Sequence, residues 1–179
     1  MDSKLLLQTE RFRVVETAVE GAAGQGAGAR RRQYVEHPGA AVILPLLAGG
    51  PGAAGDRVVL IKNRRVAAGR TLVELPAGTL EPPEPPTDTA RRELTEETGY
   101  TAGRLTELPG FFMSPGILSE RMHCFLAEGL TAGPPRREPG EEIENLVVPA
   151  GEAIEMVRRG EIEDAKTIAL LLYWHTFGR

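Results

Sequence analysis

The chain has 179 residues, 26% of them charged, with a net charge of −4 and a pI near 5.5. That length supports one sizeable core, and the acidic balance argues against general nucleic-acid affinity. The single cysteine excludes an intrachain disulfide, and no apolar run approaches the roughly 20 residues a membrane span needs.

The opening MDSKLLLQTERF has three consecutive leucines, too few for a signal-peptide core. A soluble, unexported, cytoplasmic protein is expected. RFRVVETAV at 11–19 mixes apolar and polar positions as a half-buried strand does. GAAGQGAGA at 21–29 reads as a turn, and its G-x-G lacks the following GK[ST] of a phosphate loop. RRRQYVE at 30–36 returns as a second strand, giving an N-terminal hairpin. Its arginines suit either a solvated edge or an anionic substrate.

AAVILPLL at 40–47 and RVVLIKN at 57–63 are near-continuous apolar strands separated by the turn AGGPGAAGD. Two such strands imply a sheet covered on both faces. After TLVELPAG and the proline-rich stretch considered below, residues 103–113 read as extended and MHCFLAEGL at 122–130 as a strand, with Cys124 a core residue. A polar loop, TAGPPRREPGEE, precedes the last strand, IENLVV at 143–148. From Gly151 the period turns helical, with Ala153, Ile154 and Val157 on one face. Gly160 ends that helix, and DAKTIALLLYWHTF forms another, its core stripe assigned to Ile168, Leu171, Leu172 and Trp174. His37, His123 and His175 lack metal-ligand spacing and read as structural.

The stretch Gly78 to Tyr100, GTLEPPEPPTDTARRELTEETGY, holds six carboxylates: Glu81, Glu84, Asp88, Glu93, Glu96 and Glu97. Gly78 and the prolines keep its first part out of helix. Thr87 or Asp88 is expected to cap a helix, Thr89 to Thr98 to form it, and Gly99 to end it in the left-handed conformation. Glu93, Glu96 and Glu97 at i, i+3 and i+4 share one face. Their mutual repulsion calls for a compensating cation, in part Arg91 and Arg92 and in part a hard divalent ion, which prefers oxygen ligands. Glu93 and Glu97, one turn apart, are the first choices as ligands. Glu96 could bridge, bind a second ion or accept a proton. Arg92 can orient a neighbouring glutamate through its bidentate geometry, with Glu84 holding it from outside the ligand set.

The full pattern is G-x5-E-x7-R-E-U-x-E-E-x-G-U, with U bulky and apolar. Gly78, Glu84, Arg92, Glu93, Leu94, Glu96, Glu97 and Gly99 fill its fixed positions, and Tyr100 stands where an aliphatic residue is commoner. This resembles the Nudix hydrolase box. The resemblance implies an α/β/α sandwich with a mixed sheet over 39–179, preceded by an N-terminal strand extension over 1–38. SPGILSE from Ser114 to Glu120, ELPAG, VEHPGAAVILPL and GEIEDAKTIALLL make the chain similar to the ADP-ribose pyrophosphatases of that family, from Phe12 to Leu172.

What the resemblance implies is Mg²⁺-dependent hydrolysis, with Mn²⁺ as a substitute, of ADP-ribose to AMP and ribose 5-phosphate. Another nucleoside diphosphate sugar, such as ADP-glucose or GDP-mannose, is the alternative; a non-catalytic ADP-ribose sensor is a third reading. It further implies that the Ala77 carbonyl and Glu141 join the metal ligands, with Gly78 supporting the site. A loop glutamate would be the general base, but Pro139 stands at the expected position, leaving Glu141, Glu142 or Glu96. Arg65 would contact the diphosphate, and Phe12 and Arg13 the adenine, with Arg32 and its neighbours adding phosphate contacts. Pro115, Gly116 and Glu120 would contact substrate, and a homodimer with exchanged N-terminal strands is expected.

Overall fold

The computed structural model describes residues 3–10, 12–19, 30–49, 55–137 and 142–178. Its first three strands, β1 (Ser3–Gln8), β2 (Arg13–Val19) and β3 (Arg30–Glu36), form a separate antiparallel sheet in that order. The hairpin of β2 and β3 is as expected, whereas β1 had no periodic signal: all six of its residues are exposed, so no face alternates. The turn read at 21–29 lies outside the described residues.

Among the described residues the main sheet is mixed and has seven strands. Its backbone order is β10 (Ile143–Pro149), β5 (Arg57–Arg65), β4 (Ala40–Leu47), β9 (Arg121–Ala132) and β8 (Tyr100–Phe112). β4 and β9 run parallel; the other pairs are antiparallel. β4 meets β5 only at Leu46–Val58 and Leu47–Arg57, and the two then diverge. Into that wedge come two short strands that the sequence did not announce, β6 (Arg70–Glu74) on β5 and β7 (Ala77–Thr79) on β4.

β4 explains the layers. Ala41 and Ile43 point to one face, where they pack with Ala90, Leu94, Phe125 and Ala127 under the helix α1 (Pro86–Thr98). Val42, Leu44 and Leu46 point to the other, beneath α2 (Ala150–Arg158) and α3 (Ala165–Phe177). Alternate residues of one strand thus serve two cores, which is why the run reads as uniformly apolar. Cys124 is fully buried, and burial pushes its thiol up to about 12, consistent with a core role.

Two helix details differ from expectation. α1 starts at Pro86, with Pro85 as its N-cap and no side-chain cap, so Thr87 and Asp88 sit inside the first turn. Proline at the first helical position loses no hydrogen bond and already has a helical φ, and the N–H groups of Asp88 and Thr89 both donate to Pro85 O. In α3 the buried stripe is Thr167, Leu170, Leu171 and Trp174, while Leu172 is exposed. A helix apolar nearly all round does not reveal its inner face by periodicity.

Candidate active site

α1 lies over the wedge where β4 and β5 part, and its carboxylate face looks onto β7. Gly99 at φ 79° ends the helix in the left-handed region, its N–H on Thr95 O. A Cβ there would lie 2.3 Å from Gly133 O, so glycine is required twice over. The remaining terminal carbonyls are engaged by residues of the loop after β9 and of β10. Glu96 O accepts from Arg136 N at 2.9 Å, Glu97 O from Arg137 Nε at 3.1 Å, and Thr98 O from Asn145 Nδ2 at 2.8 Å. Arg137 also donates to Asn145 Oδ1. This accounts for carbonyls that a helix leaves without intrahelical partners, and it sets a cation at the negative end of the dipole.

Arg92 is the hub of the carboxylate face. Its Nη1 donates to Glu93 Oε1 at 2.7 Å and Glu96 Oε2 at 3.2 Å; its Nη2 reaches Glu84 Oε2 at 3.1 Å. Glu84 is fixed in turn by Thr89 Oγ1. The Glu84 hydrogen bond, with the charge of Glu93, raises the Arg92 guanidinium further above its usual range. The bond from Arg92 holds the Glu84 carboxyl below its own. Glu81, mostly exposed, lies 3.8 Å from Arg92.

Glu97 is buried and accepts from Ala77 N at 2.9 Å, which ties the helix to β7. Gly78 is where the two elements touch. A Cβ built on it would fall 1.8 Å from Glu93 Oε1, so the Glu93 carboxylate occupies the space a side chain would fill.

These groups line one wall of an open cleft of about 1090 Å³. Arg65 and Asn63 of β5 contribute to it, as do Thr9, Phe12, Arg13 and His37 from the N-terminal sheet and the segments flanking it. Arg13 is ion-paired with Glu36. Of the residues singled out from the sequence, Ala77, Gly78, Arg92, Glu93, Glu96, Glu97, Arg65, Phe12 and Arg13 come together here. Glu84 stands behind Arg92. Glu120 lines a smaller adjoining cavity of about 190 Å³ shared with Arg65 and Ala77 to Thr79.

Others are not brought in. Pro115 and Gly116 form an exposed turn whose loop docks on β3 through Val35 N to Ile117 O at 2.8 Å. Arg32 is exposed on β3 opposite Thr17 and does not line the cleft. Glu142 is exposed ahead of β10, and Glu141, with Glu138 and Pro139, lies outside the described residues. Sequence reasoning passed over Gln8, Glu36, His37 and Asn63 on the cleft wall, and Glu74 and Lys166 beside it. Only Glu74 left a signal, a charge inside the apolar stretch LVELP.

Whether this face suits a divalent cation is a matter of its chemistry. Among the described residues, no three acidic side chains are placed to hold one ion between them as they stand. Arg92 draws on Glu93 and Glu96 instead. The donor set is nevertheless all hard oxygen, carboxylates outnumber the one guanidinium among them, and Gly78 leaves room for Glu93. The residues fit such an ion.

Comparison with known proteins agrees with this geometry. The NUDIX domain family matches residues 37–171. The chain is 37% identical over 177 residues to the ADP-ribose pyrophosphatase of Bacillus subtilis, covering 97% of this chain and 92% of that one. It is 36% identical to a GDP-mannose pyrophosphatase of Escherichia coli over 82% of this chain and 78% of the other. It is 30% identical to the methanol dehydrogenase activator of Bacillus methanolicus, covering 93% and 90%. The crystal structure of an ADP compounds hydrolase superposes with a TM-score of 0.79 at 20% identity, covering 99% of this chain and 91% of that chain, which bears on fold alone. With the box intact on its helix and three quarters of its length matched, the chain belongs to the Nudix family and is a Nudix hydrolase.

Proposed function

We propose that the protein hydrolyses the diphosphate of ADP-ribose to AMP and ribose 5-phosphate with Mg²⁺, Mn²⁺ serving as a substitute. The observation that carries this reading is one cleft that joins the box carboxylates to Arg65 and to the N-terminal sheet with Phe12. Its volume exceeds the roughly 300–1,000 Å³ typical of small-ligand sites, enough for an extended dinucleotide-like substrate. The similarity to an ADP-ribose pyrophosphatase over nearly the whole chain supports the same substrate.

Glu93, Glu96 and Glu97, with the Ala77 carbonyl, would hold the ion, and Glu141 would join them. A bound divalent ion neutralises diphosphate charge, polarises phosphorus and acidifies water. The chain's own residues do the rest. Arg92 gathers Glu93 and Glu96 on one face, and Glu84 keeps Arg92 there. Ala77 N–H holds Glu97 against β7. Glu96, a third exposed, accepts the proton of the attacking water; Glu142 or Glu141 is the alternative base. Arg65 offers a cation to the diphosphate, and Phe12 a ring face to the adenine. Glu120 contacts the sugar from the smaller cavity, with Pro115 and Gly116 shaping its loop.

Residues 1–38 are read as an extension that serves substrate and a second copy of the chain. Leu5, Leu6 and Leu7, each about half exposed on β1, support exchange of these strands in a homodimer, where Arg32 would reach a substrate held by the partner. Among the described residues no helix is long and apolar enough to cross a membrane.

GDP-mannose is the second reading, favoured by the similarity to GDP-mannose pyrophosphatases. Incubation with Mg²⁺ and each of ADP-ribose, ADP-glucose and GDP-mannose, with products resolved by chromatography, decides between them. The highest kcat/KM is expected on ADP-ribose, and none with EDTA. A higher value on GDP-mannose would reverse the assignment.

A further inference from the structure

The motif GEIEDAKTIALLL has no role in the chemistry above, yet its first helical turn lies against the cleft. Asp164 caps α3, with Oδ2 accepting from Thr167 N at 3.0 Å. Thr167 Oγ1 accepts from Leu75 N at 2.8 Å, and Lys166 Nζ donates to Glu74 Oε2 and, at 2.9 Å, to Asp164 Oδ1. Glu74 is fully buried, and Lys166 nearly so. On its other side Glu74 accepts two parallel bonds from Arg65, Nε to Oε1 and Nη2 to Oε2, both 2.7 Å.

Three physical points follow. A lysine in the first turn of a helix opposes the dipole, and burying its ammonium costs solvation that an apolar side chain would not. Stability of α3 therefore does not explain Lys166. Second, Arg65 uses Nε and Nη2 on Glu74, and among the described residues Nη1 makes no side-chain hydrogen bond. Arg65 lines both the main cleft and the smaller cavity, so the residue stands where the two adjoin. Third, Arg65 and Lys166 balance Glu74 and Asp164. Without Lys166 the cluster would carry one negative charge in excess beside a site for an anion.

We infer that Lys166, acting through Glu74, is a positioning residue that holds the Arg65 guanidinium in a fixed orientation and keeps its surroundings neutral for an anionic diphosphate. This rests on the reading of the cleft as a diphosphate site. A fork fixed by two bonds to one carboxylate presents its third nitrogen in one direction. Lys166 fixes that carboxylate from behind.

The test uses the full chain with Lys166→Met, Lys166→Arg, Arg65→Ala and the Lys166→Met/Arg65→Ala pair. Thermal unfolding, steady-state kinetics with ADP-ribose, and equilibrium binding of ADP-ribose in EDTA are measured for each. Lys166→Met is expected to raise KM and the EDTA Kd about 10-fold with kcat within about 3-fold, the size seen for loss of a supporting partner. Lys166→Arg restores most of the binding. The double variant binds no worse than Arg65→Ala alone, because the two act as a unit. A lowered Tm with KM and Kd unchanged in Lys166→Met, while Arg65→Ala weakens both, overturns the inference and leaves the diphosphate site standing. Unchanged KM and Kd in Arg65→Ala overturns the diphosphate role of Arg65 and the inference with it.

Discussion

Two clusters of charge flank β7, and they are built in opposite ways. On α1, one guanidinium, Arg92, faces Glu81, Glu84, Glu93 and Glu96, three negative charges in excess, and all five side chains keep some contact with solvent. Beside β6, the buried carboxylate of Glu74 lies between Arg65 and Lys166, and Asp164 makes the count even. Among the described residues the first carries negative charge in excess, which suits a cation from outside. The second is complete, as a buried ionic network must be to offset its desolvation. Proximity of acidic residues therefore says little until the cations among them are counted.

The contrast can be broken at the incomplete cluster first. Glu97→Gln keeps the shape and the bond from Ala77 N but removes a charge. A kcat loss beyond about 100-fold is expected, larger than loss of an outer supporting partner, with Tm little changed; a near-normal kcat would refute a role for the α1 face. Gly78→Ala puts a methyl where Glu93 now lies. A kcat loss on the order of 10- to 100-fold is expected, with a higher Mg²⁺ requirement in a metal titration.

Within the complete cluster, Glu74 should also respond through stability. Burial pushes the Glu74 carboxyl up, but the hydrogen bonds of Arg65 and the charge and hydrogen bond of Lys166 outweigh it and hold it below the usual 4.5. A folded-state value below the unfolded one stabilises fully above about pH 4.5, and this is lost as pH falls further. Tm followed from neutral pH into the acid range should fall for the native protein, and fall less for Glu74→Gln. Smaller still, Arg137→Ala and Asn145→Ala each remove a bond to the α1 carbonyls and should cost about 1 kcal/mol in urea unfolding. Glu81→Gln, at the exposed rim, should change neither kcat nor Tm measurably.

Much of this was legible in the sequence because the signals are local. The box fixes residue types at set spacings on one helix, so Glu93, Glu96 and Glu97 could be placed on a face before any fold was known. The buried strands β4 and β5 announced themselves by composition. What could not be read depends on distant pairing. β6 and β7 are short and exist because β4 and β5 diverge. Glu74 and Lys166 are 92 residues apart and meet only in the fold. Arg137 and Asn145, spread over a polar loop and a strand, gave no hint that both reach the end of α1. The exposed strand β1 carried no alternation, and none of the described residues covers it.

The dependence of β6 on α3 also orders events during synthesis. Strands β4 to β7 and the helix α1 leave the ribosome well before Asp164, Lys166 and Thr167 do. Until those residues emerge, Leu75 N–H lacks its hydroxyl acceptor and the Glu74 carboxylate has Arg65 alone. A nascent chain stalled after β10 would therefore hold Arg65 and Glu74 without the lysine and hydroxyl that back them, and the wall of the smaller cavity would lack Asp164 and Lys166.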